Sequence, residues 1–177
     1  MVIVTAAVSI IFTILNFSGF FSNNPEIING VKVGTDIGDR APDFTVTTSD
    51  GKTVRLNDLT KYKKPVVIYF WATWCPFCRD EFNKLDSIYP KYKNKVKFLA
   101  VDLDTSESLQ MVADYKTAHN HDWMFAIGND DILRKYHIVS TTTKYIIDAN
   151  GIIQTKGVGV ISEDKLDSAF KIALGQI

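Results

Sequence analysis

Apolar and polar positions along this chain fall into blocks whose period changes several times. The first block has no period. From Val2 to Phe21 the run "VIVTAAVSIIFTILNFSGFF" carries no charge over about twenty residues, enough at ~1.5 Å per helical residue to cross a ~30 Å hydrocarbon layer. It is apolar on every side, whereas a core helix shows one stripe. No Lys or Arg precedes it, and "SGFFSNNPEI" after it has no small-X-small cleavage site, so residues 1–21 are expected to be an uncleaved membrane anchor and not a removed signal. The first basic residue is Lys32, so charge gives no orientation. Residues 22–37, with Asn23-Asn24-Pro25, Gly30 and Gly34, read as a linker, and residues 38–177 as one folded domain.

Within that domain, "DFTVTTSDGKTVRLNDL" gives two short β-type runs about Asp50-Gly51, a hairpin signal. "PVVIYFWA", Pro65 to Ala72, is a continuous apolar run rich in β-branched and aromatic residues, as in a strand buried on both faces. Cys78, Phe82, Leu85 and Tyr89 then recur at helical spacing, which predicts a helix from about Pro76 to Tyr89 with Cys78 on its inner stripe. "VKFLAVDL" reads as a strand, "SESLQMVADYKTAH" as a helix, "WMFAI" as a strand and "DDILRKYH" as a short helix. "KYIID" and "IIQTKGV" flank "ANG" as a hairpin, and Ser162 opens a last helix with Leu166, Ala169, Phe170, Ala173 and Leu174 on one face. Strands alternating with helices, then a hairpin and a helix, predict an α/β fold with a mixed central sheet flanked by helices.

Charge changes little in this picture. Lys plus Arg and Asp plus Glu both number 20 among 177 residues, so no basic excess points to a nucleic-acid partner. Lysine clusters at 61–64 and 91–97 read as solvated faces.

The chemistry lies in "FWATWCPFC", which holds both cysteines of the chain, Cys75 and Cys78. A bridge over two intervening residues constrains the unfolded chain far less than a long loop, so a structural staple is a weak reading. A zinc site would need His119, His121 or His137 as further ligands, and these fall on different predicted elements without finger-like spacing. A reactive pair fits the pattern. Cys75 caps the predicted helix, where unpaired N–H groups favour a thiolate, and Cys78, one turn in, is shielded. Pro76 suits the first helical turn but removes one donor, leaving the amides of Phe77 and Cys78 to face the Cys75 sulfur. Glu81, three residues after Cys78, shares its helix face and could accept its proton, although spacing alone leaves a surface glutamate equally open.

With "GDRAPDF" (Gly38 to Phe44) upstream and "CRDEF" (Cys78 to Phe82) downstream, the segment from about Gly38 to Ala173 resembles the membrane-anchored TlpA/ResA branch of thioredoxin-like proteins. The resemblance implies a thioredoxin fold and disulfide exchange with protein partners on the outer side of the cytoplasmic membrane, in several relatives as a reductase, fed by an upstream electron donor. It implies no cofactor and no metal. It makes Cys75 the attacking cysteine, Cys78 the resolving one and Glu81 the active-site glutamate. Trp74, Pro76, Phe77, Thr141 and Thr142 then become the expected substrate contacts, and Trp71 packs beside the motif. Two positions depart from the pattern. Tyr69 stands where classical thioredoxins bury an aspartate, and Thr142 stands where the family has its cis-proline, so a trans or strained loop is expected there. The hydroxyls of Thr141 to Thr143 also read simply as loop polarity.

Two other functions compete. "APDF" with Cys75-Pro76 suggests a peroxiredoxin-like thiol peroxidase, but Ala72 occupies the position where peroxiredoxins carry a threonine. A metal chaperone or assembly module could use the same fold without turnover.

Overall fold

Strand β5, Val66–Trp71, is buried at all six positions, and the rest of the fold is arranged on its two faces. The computed structural model describes residues 25–177 apart from Tyr62; the anchor expected over residues 1–21 lies outside the described residues. Among the described residues no helix is long and apolar enough to cross a membrane.

In chain order the elements are β1 (Ile27–Ile28), β2 (Val31–Lys32), β3 (Thr45–Thr48), β4 (Thr53–Arg55), α1 (Leu56–Lys61), β5, α2 (Pro76–Ile88), β6 (Lys97–Asp102), α3 (Leu109–His119), β7 (Met124–Ile127), α4 (Asp130–Lys135), β8 (Thr143–Ile147), β9 (Ile153–Gly157) and α5 (Glu163–Ala173). A seven-stranded sheet has the order β4-β3-β7-β6-β5-β8-β9. β5 pairs in parallel with β6, and β6 with β7. β8 is antiparallel to β5, so the sheet is mixed, as the sequence predicts.

Alternation along β5 divides the core, because successive side chains of a strand point to opposite faces. Val67, Tyr69 and Trp71 meet Cys78, Phe82 and Leu85 of α2, Val112 of α3 and Leu166 and Phe170 of α5. Val66, Ile68 and Phe70 meet Leu56 of α1 and Ile132 of α4 on the other side. Phe82 is the hub of the first layer, with Tyr69, Trp71, Trp123 and Phe125 at centroid distances of 5.0 to 5.6 Å. Helix α2 ends at Ile88 because Pro90 has no N–H to continue it; a 3-10 turn, Tyr89–Lys91, follows.

Three stretches differ from the sequence reading. The described part of the expected linker is folded: β1 and β2 form a hairpin around Asn29-Gly30, both at positive φ, and the Gly38 amide bonds the Ile153 carbonyl while Asp36 pairs with Lys156. Asn-Gly is itself a tight-turn signal, but a two-residue strand on each side is too short to show alternation. After β4 the chain turns into α1 instead of extending the hairpin, because Leu56 is drawn into the core. Helix α3 starts at Leu109, capped by the Ser108 hydroxyl, and not near Ser106, because the residues before it serve the loop that follows β5.

That service is polar and buried. The Glu107 carboxylate accepts hydrogen bonds from the Thr73 amide and the Thr73 hydroxyl, holding the loop that leads into Cys75. Asp102, at the end of β6, is 1 % exposed. One of its oxygens accepts from the Asp104 amide at 2.9 Å; the other has no N–H or O–H donor. Burial first, and then the neighbouring Glu107 carboxylate, push the Asp102 carboxyl up to about 8.

A carboxyl whose folded value lies above its unfolded value binds more protons in the native state, so this group loses stability as pH rises through the window from about 4 to 8. Asp102→Asn, which cannot ionise, is expected to flatten that decline, with a slope change of up to ~1.4 kcal/mol per pH unit. Urea unfolding of both proteins across this range measures it; parallel pH profiles would contradict the assignment.

Candidate active site

β5 ends at Trp71 and the chain makes a tight turn, with the Cys75 amide bonded to the Ala72 carbonyl at 3.1 Å. Cys75 has the extended conformation of an N-cap (φ −82°, ψ 106°), and Pro76 occupies the first helical turn, where its fixed φ fits and its missing N–H costs nothing. The Cys78 amide donates to the Cys75 sulfur at 3.1 Å. Of the two amides expected to face that sulfur, Cys78 makes the bond. Cys75 and Cys78 are joined as a disulfide, and among the described residues no three His, Cys, Asp or Glu side chains gather as a metal site.

Access to the two sulfurs is unequal but narrow: Cys78 is fully buried and Cys75 is 3 % exposed. Around that opening Trp74 and Phe77 are more than half exposed, and Trp74, Pro76 and Arg79 line a 210 Å³ cleft with Thr73 and Cys75. The Trp74 indole N–H donates to Asp104 at 2.8 Å, which fixes the ring beside the cleft. Trp71 differs from Trp74 in being buried, against Phe82, Tyr115 and Phe125.

Glu81, on α2 three residues after Cys78, is 1 % exposed, which ends its reading as a surface residue. The Tyr69 hydroxyl donates to Glu81 Oε2 at 2.9 Å, and the Lys144 ammonium donates to the same oxygen at 3.0 Å while lying 2.9 Å from Oε1. No donor is aligned on Oε1, so one lone-pair site remains open for a proton. Burial raises the Glu81 carboxyl above the usual range, while Lys144 and Tyr69 oppose that rise. Burial likewise lowers Lys144, and Glu81 opposes it. Removing either partner alone would strand a buried charge, at a cost of about 3–5 kcal/mol.

Lys144 and Tyr69 escaped the sequence reading in different ways. Tyr69, which stands where classical thioredoxins are expected to bury an aspartate, is hydrogen-bonded to Glu81. Lys144 opens "KYIID" and looks like the solvated end of a strand. The signal was the register: Lys144 of β8 lies opposite Tyr69 of β5, on the sheet face that α2 covers, and its ammonium sits 4.8 Å from the Tyr69 ring centroid.

Thr142 stands at the C-terminal end of β5, its amide bonded to the Phe70 carbonyl at 2.9 Å. The described residues contain no cis peptide bond, and Thr142 has φ +60°. For a β-branched residue this left-handed conformation costs about 1–3 kcal/mol. It is held by three contacts: the Phe70 bond, the Gly159 amide donating to Thr142 Oγ1 at 3.0 Å, and Lys144 donating to the Thr142 carbonyl at 3.0 Å. The hydroxyl of Thr142 thus bonds backbone and is buried, while Thr141 is half-buried beside it.

Comparison with known proteins agrees with this geometry. Residues 37–156 match the family model described as AhpC/TSA family. The thioredoxin-like protein YneN of Bacillus subtilis is 31 % identical over 142 residues, covering 80 % of this chain and 82 % of that protein. A thiol-disulfide oxidoreductase ResA of Bacillus cereus is 31 % identical over 155 residues, covering 85 % of this chain and 82 % of that protein. Among solved structures, the thiol:disulfide interchange protein of Chlorobium tepidum TLS, a thioredoxin family protein, superposes with a TM-score of 0.69 at 26 % identity, over 77 % of this chain and 96 % of that one. A cysteine at the mouth of α2, its disulfide partner one turn inside and a buried glutamate on the same helix are thus found in a chain that belongs to the AhpC/TSA family and, within it, to the thioredoxin-like thiol-disulfide oxidoreductases represented by ResA.

Proposed function

We propose that this enzyme reduces disulfides of protein substrates outside the cytoplasmic membrane, tethered there by the apolar run Val2 to Phe21. The observation that carries the reaction is Cys75 at the N-cap of α2, with Cys78 one turn inside and the buried Glu81 on the same helix. In the reduced enzyme the Cys75 thiolate attacks one sulfur of a substrate disulfide. That bond breaks, the departing substrate sulfur leaves as a thiolate and takes up a proton, and Cys75 is left in a mixed disulfide. Glu81 accepts the proton of Cys78. The Cys78 sulfur then attacks Cys75, the enzyme disulfide closes, and the second substrate sulfur leaves as a thiolate that takes up a proton from solvent, to which Glu81 returns the proton it accepted. Two electrons pass to the substrate, and an upstream dithiol donor restores the enzyme.

The exposed aromatic side chains of Trp74 and Phe77 around Cys75 favour a polypeptide that docks against them. Those two rings and the cleft at Pro76 supply its contacts, whereas Thr142, expected among them, is buried with its polar groups bonded within the protein. Placement outside the membrane rests on the uncharged run and on the resemblance of the motif to anchored relatives. A peroxidase reading is less well supported: the family model spans such proteins by name, but Ala72 lacks the hydroxyl that the peroxidase motif places there.

Cys78→Ser is expected to stall the mixed disulfide on Cys75, so that client proteins co-purify with it and are released by dithiothreitol, whereas Cys75→Ser captures none. Capture by neither variant would contradict the assigned roles. For the direction of electron flow, equilibration with glutathione is expected to place the couple well below strong oxidants, which lie near ~−120 mV. A value as high as that would reverse the proposal.

A further inference from the structure

The buried ammonium of Lys144 makes more contacts than a counter-ion to Glu81 needs. It donates to Glu81 on α2, to the Thr142 carbonyl at the turn before β8 and, at 2.8 Å, to the Gly159 carbonyl in the loop between β9 and α5. The same two loops are bonded directly, by the Gly159 amide to the Thr142 hydroxyl. An ammonium has three protons, and here each has an acceptor on a different segment of the site. A lysine is rarely buried unless paired, and Lys144 is 7 % exposed. Met or Leu at this buried position of β8 would carry no charge of its own to desolvate.

We infer that Lys144 is a positioning residue for the exchange reaction: it holds Glu81 as the carboxylate that takes the proton of Cys78, and it ties that carboxylate to the Thr142 turn. This rests on the role given to Glu81 above. The physical basis is that burial pushes Glu81 toward its neutral form, and a protonated Glu81 cannot accept a second proton. Lys144 is the largest of the opposing influences, ahead of Tyr69 and Lys84. The other charged groups around the pair are Lys84 on α2, which also favours the carboxylate, and Lys156 of β9 and Lys165 of α5, which line the adjoining 280 Å³ cavity with Lys144. None of these three makes a hydrogen bond to Glu81, so loss of Lys144 is not made good by its neighbours.

The test isolates ring closure. Reduced full-length protein in detergent is mixed with dithiobis(nitrobenzoate). Cys75 attacks the reagent's disulfide and releases one thionitrobenzoate; Cys78 then displaces the second from Cys75, and each release is seen by absorbance. In the wild type the second phase quickens with rising pH as Glu81 ionises. Lys144→Met is expected to move that rise at least one pH unit upward, slowing closure about tenfold near neutral pH while rates converge in alkali; the first phase changes much less. Lys144→Arg, which returns a cation, is expected to move the profile back toward the wild type, and Lys144→Met on a Glu81→Gln background to cause no further loss. A Lys144→Met profile that overlays the wild type, or is scaled down at every pH, would overturn the inference, as would losses that multiply in the double variant. If Glu81→Gln alone leaves closure unchanged, the role of Glu81 fails and this inference with it. If Lys144→Met proves unfolded by circular dichroism, Lys144→Arg decides: a slowed but unshifted profile counts against the inference, a modest upward shift for it.

Discussion

Cys75 owes its place to a strand that cannot go further. β5 is buried on both faces and paired on both edges, so its end is fixed in space, and the next ordered element is the mouth of α2. Whatever residue caps that helix must stand where the first amides are unpaired and the peptide dipoles converge. The sequence puts a cysteine there and a proline after it. The loop between strand and helix is held from the side by Glu107 through both polar groups of Thr73, so the cap is held by more than the helix itself.

A second constraint is electrostatic. Both faces of the sheet are apolar near the site, yet Glu81, Lys144, Asp102 and Glu107 are buried there. None of these is a good way to stabilise a fold, because desolvation offsets most of the attraction between buried charges. Their value is in specificity and in proton control. Glu81 is kept ionisable by an ammonium and a hydroxyl, with one oxygen lacking a donor. Asp102 is kept largely protonated beside Glu107. Glu107, the neighbour of Asp102, holds through Thr73 the loop that leads into Cys75. Thr142, in a left-handed conformation where the family resemblance implies a cis-proline, is held by the same ammonium that pairs with Glu81.

Much of this could be read from the sequence, for reasons that differ by residue. β5 and α2 were legible because their apolar periods are uninterrupted, and Cys75, Cys78 and Glu81 because helical spacing orders them on one element. The hairpin at Asn29-Gly30 and helix α1 were not, since two-residue strands and a six-residue helix are too short for a period to show. Lys144 and Glu107 were hidden for another reason: each reaches its partner across the fold, Lys144 over 63 positions and Glu107 over 34. Only the strand register, with Lys144 opposite Tyr69, reveals that a lysine at the start of β8 points into the core. Local pattern finds elements and their faces; contacts between distant elements need the sheet order first.

The most direct test of the account is titration of Cys75 in the reduced protein, followed by the pH dependence of its alkylation with iodoacetamide. Held at the mouth of α2, the thiol is expected to ionise at or below about 7.5, against ~8.5 for a free cysteine. An ordinary value near 8.5 would show that neither the helix terminus nor the Cys78 amide stabilises the anion, and the mechanism would lose its nucleophile.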